Sequence, residues 1–418
     1  MAEGRRRRRY ALIGTGNRGT TMWGRDLLAG WSEFVELVAI CEINPLRGER
    51  ARAMIGTDVP IYPDFGDLLA ETRPELVVIC TPDHTHDGVI VKALDSGCDV
   101  IVEKPMTTTP GKIRRILEAE CRSGRKIDVS FNYRFSPTAA RIKELLSEGA
   151  VGTVSSVDFH WYLDTRHGAD YFRRWHAYRK NSGSLFVHKS THHFDLLNWY
   201  LDTEPEAVSA FGELRNFGKA GPFRWIRCKT CPYKAECNYY FDLGADPFLD
   251  ALYEEPSQYD GYFRDACVYR EDIDIPDTMV AAIRYCNGVT ASYSVNTFMP
   301  IEGHYIAFNG TRGRLELRQY EAQPWEAPAS DEILLVRNFG KGVERIVVPH
   351  EPGGHYGGDN RMRKMMFEPG MVDTLKQRAD SRAGAMSVLC GVAALESAQT
   401  GRTIRIDELM PELTAAPG

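Results

Sequence analysis

Lys104 stands in Glu103-Lys104-Pro105, directly after the apolar run DVIV. A lysine at such a strand end can donate a hydrogen bond to a reacting hydroxyl and stabilise alkoxide-like charge, and a nearby positive group lowers its pKa. In GSLFVHKSTHHFD, residues 183–195, His188, His192 and Asp195 recur at i, i+4 and i+7. That spacing predicts one helix face. An imidazole near neutral pKa suits general-base work, and Asp195 is expected to orient it or to cap backbone. The same H-x-x-x-H spacing fits a zinc pair. However, Lys189 stands where a metalloprotease helix carries its glutamate, which favours the base reading. Upstream, residues 171–180 interleave Arg173, Arg174, Arg179 and Lys180 with Tyr171, Trp175 and Tyr178. Aromatic faces stack on sugar rings and guanidinium forks grip anionic groups. Cys228-x2-Cys231-x5-Cys237 and Cys267 form a further cluster. Thiolates this close need a cation, so structural zinc is the first reading, with iron–sulfur ligation and plain thiols as alternatives. Four cysteines leave no open coordination position, so no catalytic metal is expected.

Gly14-Thr15-Gly16-Asn17-Arg18-Gly19 matches GxGxxG after an apolar run, with Glu42 closing the next one. The first glycine permits the tight turn and the second lets backbone approach a pyrophosphate, which a following helix N-terminus then holds. Glu42 would accept from the adenosine ribose hydroxyls and repel a 2′-phosphate, which favours NAD over NADP. Arg47, five residues on, is the residue able to reverse that preference.

The elements that must position these groups follow from the pattern. Apolar runs at 10–13, 35–42, 76–81, 99–103 and 127–131 alternate with helical stretches such as 88–94 and 113–119. Runs buried on both faces and separated by helices predict a doubly wound parallel sheet, a Rossmann domain over 1–130. Beyond it, helical 139–146 leads into alternating runs at 154–163, 207–214, 279–298, 305–317 and 333–336, with a hairpin turn at Cys286-Asn287-Gly288. Residues 131–418 therefore read as an α+β domain with a largely antiparallel open sheet. Within it the cysteine-containing stretch 215–277 is an insertion, and the C-terminal helix packs back on the first domain. Only six of the 44 aromatic residues fall in the first 125, which suits a second domain whose surface stacks on a ligand.

The 418-residue chain is 43% apolar and 26% charged, an ordinary globular composition. Its formal charge of −6 argues against a nucleic-acid partner, and no apolar run approaches a membrane span. The basic run Arg5–Arg9 leads straight into YALIGTG, so no export signal is read and a solvated basic tail is expected. Cys41, Cys80, Cys98, Cys121, Cys286 and Cys390 are read as free thiols in apolar segments, consistent with a cytoplasmic protein.

ICTPDHTHDGVIVKALDSGCDVIVEKPM at 79–106, NYRFSP at 132–137, HHFD at 192–195 and ESAQTGRTIRI at 396–406 together resemble the glucose–fructose oxidoreductase/inositol dehydrogenase (Gfo/Idh/MocA) family over nearly the whole chain. The resemblance implies an NAD-dependent oxidoreductase acting on a ring hydroxyl of a sugar, glycoside or cyclitol, bound between the two domains of a homo-oligomer. It assigns hydroxyl chemistry to Lys104 and the general base to His192. It adds Thr81, Pro82, His84, His86, Glu103, Lys104 and Asn132 to the cofactor site. Tyr133, Arg134, Trp175, Arg179, His188 and His192 join Lys104 around the substrate. His188 stands where the family has an aspartate, and Ser190 where it has a glycine, so the proton route departs from the pattern. An extra imidazole also suits a redox-neutral NAD-dependent glycosidase: transient ring oxidation, elimination, water addition and re-reduction need a second base.

Overall fold

A computed structural model describes residues 6–414. Six strands form a parallel sheet: β1 (Arg8–Ile13), β2 (Val35–Cys41), β3 (Ile61–Tyr62), β4 (Leu76–Ile79), β5 (Asp99–Val102) and β6 (Ile127–Val129), in the order β3-β2-β1-β4-β5-β6. Helices cover both faces, so β4 reads LVVI and is buried throughout. The order reverses between β1 and β4, the switch point where ligands bind at the carboxyl ends of such strands.

Nine further strands form a second sheet: β7 (Val154–Asp164), β8 (Pro205–Glu213), β9 (Thr278–Tyr285), β10 (Thr290–Met299), β11 (Glu302–Gly310), β12 (Gly313–Ala322), β13 (Ser330–Arg337), β14 (Val343–Pro349) and β15 (Ile404–Arg405). Their order is β14-β13-β12-β11-β7-β10-β9-β8-β15, and only the central β10–β7 pair is parallel. Along β9 burial alternates residue by residue. One face carries the core, with Phe159, Trp161 and Leu163 of β7 fully buried, and the other faces outward. The helix Ser381–Thr400 crosses back to the first sheet, where Gly384 lies against Val129 and Met106. A side chain at Gly384 would come within 2.8 Å of Val129 Cγ2.

Two expectations change here. The basic run is not a free tail among its described members: Arg8 and Arg9 open β1, Arg6 bonds Glu75 and Arg8 bonds Asp99. Residue 5 lies outside the described residues. The helix expected through 188–195 is broken at Lys189, which ends the turn Leu185–His188 and begins the helix Ser190–Leu201. His188 and His192 therefore belong to different helical segments.

Candidate active site

The glycine loop is built as a phosphate cradle. Gly14 has φ +86°, and a Cβ there would meet the Cys80 backbone at 2.9 Å. Gly19 packs its Cα on the Gly14 carbonyl, leaving 2.2 Å for any Cβ, so loop and following helix are in close contact. Glu42, 7% exposed, accepts at Oε2 from the Thr15 amide (2.9 Å) and hydroxyl (2.8 Å), and at Oε1 from the Asn44 amide (3.0 Å). Arg47, 8% exposed, is not free beside it: its Nη2 pairs with Asp260 at 2.8 Å and its Nη1 lies 3.7 Å from Glu42.

Asp260 comes from the insertion, and so does a contact that no motif in the chain announces. The Asn17 amide donates to the Tyr253 hydroxyl at 2.8 Å, with Gly16 alongside. Asn44 Nδ2 donates to Pro256 O and Asp260, both at 2.8 Å. Leu243, Leu252 and Tyr253 bury themselves with Ala51 of the first domain in a small separate apolar cluster. The short helices Pro247–Tyr253 and Ser257–Asp260 thus lie across the outer wall of the cradle. The loop fits a dinucleotide on this evidence: an outward amide of the glycine turn already takes an oxygen acceptor, which here is a phenol.

Further along the strand ends, Glu103 accepts from Arg18 Nε (2.9 Å) and Trp23 Nε1 (2.8 Å). Burial alone would raise its pKa, but Arg18 and these hydrogen bonds leave it below the ordinary value. Arg18 also reaches Asp359, whose carboxylate takes the Asn132 amide at 2.6 Å. Asn132 Oδ1 is buried without a partner, an acceptor left for a ligand donor. Thr81 Oγ1 accepts from Thr85 (2.8 Å), which shapes the turn through Pro82 to His84. His84 is half-buried with Nδ1 unpaired. His86 is placed differently from a cofactor ligand: its Nδ1 lies 2.9 Å from Pro105 O and its Nε2 2.8 Å from Thr81 O. Burial lowers its pKa, so one of the two nitrogens donates to its carbonyl while the other only packs against its own.

Lys104 lies beside this wall, and burial and the Lys189 ammonium push its pKa down to about 8 against the raising effect of Asp83 and Glu103. Its Nζ is 3.4 Å from His188 Nε2 and 3.5 Å from His188 O. His188 Nδ1 in turn is 2.6 Å from Asp83 Oδ2. His192 is held by edge contacts with Phe131 and Tyr133, at 5.9 and 4.8 Å between ring centroids. Burial, then the Lys104 and Lys189 ammonium groups, hold His192 well below the usual histidine value, so it is neutral at physiological pH. A neutral imidazole with a buried, unpartnered Nδ1 can accept a proton. Tyr133 donates to Glu321 at 3.1 Å, and Lys189 lies over the Tyr133 and Trp161 rings.

The remaining residues separate. Trp175 stacks on His176 and meets His188 edge-on at 5.6 Å, inside the site. Arg134 forms a bidentate buried pair with Asp195 (2.7 and 2.6 Å), which leaves it no free fork for substrate and leaves Asp195 unable to orient His192. Arg179 is exposed with its amide on Asp274, and Arg173 is buried under the insertion, so the cationic stretch does not converge on one anion. Arg174 is balanced by Asp170 at 3.1 Å.

The zinc expectation gains no support here. Cys228, Cys231, Cys237 and Cys267 do line one small cavity. Among the described residues, however, no three His, Cys, Asp or Glu side chains are placed to hold a metal ion. Arg173 donates to Cys228 Sγ at 3.2 Å, and burial pushes Cys228 and Cys237 up. The neighbouring thiols add to that rise and Arg173 opposes it.

Comparison with known proteins agrees with this geometry. Residues 8–131 match the model of an oxidoreductase family with an NAD-binding Rossmann fold, and residues 143–406 match that family's C-terminal alpha/beta domain. The chain is 36% identical to the putative oxidoreductase YteT of Bacillus subtilis, over 95% of this chain and 97% of that one. An inositol 2-dehydrogenase of Rubrobacter xylanophilus is 29% identical over 42% of this chain and 48% of its own. Among solved structures, levoglucosan dehydrogenase in complex with NADH and levoglucosan superposes with a TM-score of 0.70 at 18% identity, covering 96% of this chain and all of that one. The WlbA dehydrogenase of Bordetella pertussis, in complex with NADH and UDP-GlcNAcA, superposes at 0.64 with 20% identity, over 96% and 99%.

Proposed function

The chain belongs to the Gfo/Idh/MocA family of NAD-binding oxidoreductases, and from that premise we propose that it oxidises a ring hydroxyl of a sugar, glycoside or cyclitol. The observation that carries this reading is Lys104, half-buried just past the carboxyl end of β5, 3.4 Å from His188 and within the electrostatic reach of His192 and of Arg18 of the glycine loop. Bound NAD supplies the hydride acceptor. Lys104 donates to the reacting oxygen and stabilises its developing negative charge, while neutral His192 takes the hydroxyl proton. Trp175, half-buried beside His188, offers an aromatic surface to the ring. Glu103 and Asn132, at the same strand ends, are the groups expected to hold the cofactor's nicotinamide half, and Glu42 and the cradle its adenosine half. The test is a panel of free sugars, glycosides and cyclitols incubated with NAD and the purified chain. Substrate-dependent NADH formation is expected, and its absence across the panel, with no product of any kind, overturns the reading.

One observation favours a second reading, the redox-neutral cleavage of a glycoside. The insertion walls the cofactor cradle through Pro256 and Asp260, which bond Asn44 and Arg47. A cofactor closed in beneath it is retained between turnovers, as a sequence of oxidation, elimination, water addition and re-reduction requires. His188 would supply the second base. Released sugar without accumulated NADH distinguishes this from net oxidation. We also infer that the chain acts as a homo-oligomer in the cytoplasm, in keeping with the open face of its second sheet and ten unpaired cysteines.

A further inference from the structure

We propose that Asp83 is a positioning residue for Lys104, acting through His188 across the junction of the two domains. Asp83 sits in the turn Asp83–Thr85 after β4, 2% exposed, and His188 comes from the turn Leu185–His188 of the second domain. The three side chains lie in line: Asp83 Oδ2 to His188 Nδ1 at 2.6 Å, then His188 Nε2 to Lys104 Nζ at 3.4 Å. A carboxylate at Nδ1 fixes the proton on that nitrogen and leaves the Nε2 lone pair facing the ammonium. The imidazole cannot turn away, because Tyr171, Trp175 and His176 pack on it at 5.4, 5.6 and 4.2 Å. Where the resemblance expects an aspartate at position 188, this chain places a histidine and supplies the acid one residue further out. The anionic partner is moved from direct contact with Lys104 to the end of a hydrogen-bonded line.

Burial pushes the Asp83 carboxyl well above its usual range and Glu103 adds to this, while Lys104 and Arg174 pull it back, so its negative charge is sustained by these cations. Lys104 is faced by Asp83 and Glu103, which favour its ammonium form, and by Lys189 and Arg18, which oppose it. His176, His188 and His192 near it are all held neutral by burial. His188 also faces Arg174, Lys189 and His86, so protonating it is costly and the neutral Nδ1–H form is favoured. In Asp83→Asn the amide removes one negative charge and can donate to Nδ1. That flips the tautomer and turns an N–H toward the ammonium. Both effects make the charged form of Lys104 less favourable, so its titration falls.

The proposal takes from the functional reading only that Lys104 is the working lysine, and its test needs no substrate. The full-length protein, labelled with [13Cε]lysine, is titrated by NMR, and the Lys104 signal is identified by its loss in Lys104→Met. In Asp83→Asn the midpoint is expected to fall from about 8 to about 7 or below, the change typical of losing one nearby opposite charge. Asp83→Glu, which keeps the charge, should restore most of it. His188→Asn alone should also lower the midpoint, and it carries the test if Asp83→Asn does not fold. Adding Asp83→Asn to His188→Asn should then move the midpoint much less than it does in the native background. An unchanged midpoint in Asp83→Asn, or an undiminished effect without His188, overturns the proposal. A failure to find any sugar substrate leaves these measurements standing, so the two conclusions can fail separately.

Discussion

At the level of single residues the site turns on the charge state of Lys104. With its pKa near 8, the ammonium that donates to the reacting oxygen is present at neutral pH and lost as pH rises through that value. His192 is neutral over the same interval because burial and two ammonium groups hold it well below its ordinary value. The pH profile of kcat is therefore expected to be flat around neutrality and to fall on the basic side with a midpoint near 8, and a profile still rising there would reassign Lys104 as a base. Lys104→Ala should lower kcat by about 100-fold or more while NAD affinity changes little, since a general acid or hydrogen-bond donor acts mainly in the transition state; near-native turnover would remove it from the chemistry. For the cofactor, Glu42 is fixed by three hydrogen bonds and Arg47 is paired with Asp260, so Arg47 is not free for a 2′-phosphate. NAD is expected to bind at least ~10-fold tighter than NADP, a difference of ~1.4 kcal/mol by calorimetry. Equal Kd values would show that the Arg47–Asp260 pair opens. The glycine turn was legible because its pattern is local, whereas the roles expected of Lys104 and His192 came from the resemblance. Asp83, 105 residues from His188, was not legible, and neither was the loss of Arg134 to Asp195, since an arginine in a buried pair and one awaiting an anion look alike in sequence.

Among the elements, the insertion is the one whose position changes how the others work. Its cysteine end packs against Arg173, and its other end reaches the first domain through Tyr253, Pro256 and Asp260. The Tyr253 phenol competes for the amide that a pyrophosphate oxygen needs. Tyr253→Phe is thus expected to bind NAD faster and several-fold tighter, in line with the ~0.5–1.5 kcal/mol of one neutral hydrogen bond. Stopped-flow binding measures this, and weaker binding would make Tyr253 a cofactor ligand rather than a competitor. The parallel strands were readable because each is a short, wholly apolar run between helices. β3 escaped notice because two residues, Ile61 and Tyr62, show no period. The run 305–317 conceals two strands, β11 and β12, joined by a tight turn at Thr311-Arg312. β14 is an edge strand with exposed charged residues, so its alternation is weak. The break at Lys189 left no mark in the helical spacing of 188, 192 and 195, which is why those three residues were expected on one face.

For the whole molecule the open question is what meets the outer face of the nine-stranded sheet. Helices cover one side only, and on the other side Phe211 of β8 and Val280 of β9 are cross-strand partners, 74% and 44% exposed. The same row continues through Ser294 and His160 to Tyr305, whose ring stacks parallel to His160 and lies under Arg318. A broad surface of mixed polar and aromatic groups with an apolar end suits a contact between copies of the chain, which needs about 800 Å² per partner. Because these side chains point away from the core, changing them should leave the fold intact. The native chain is expected to exceed its 47.1 kDa monomer mass in light scattering at micromolar concentration. Phe211→Glu combined with Val280→Lys is expected to give the monomer with an unaltered Tm and unaltered NAD binding, because the cofactor cradle lies on the other sheet. A native chain that is already monomeric, or a double variant that keeps the native mass, would show that this face is not where copies of the chain meet.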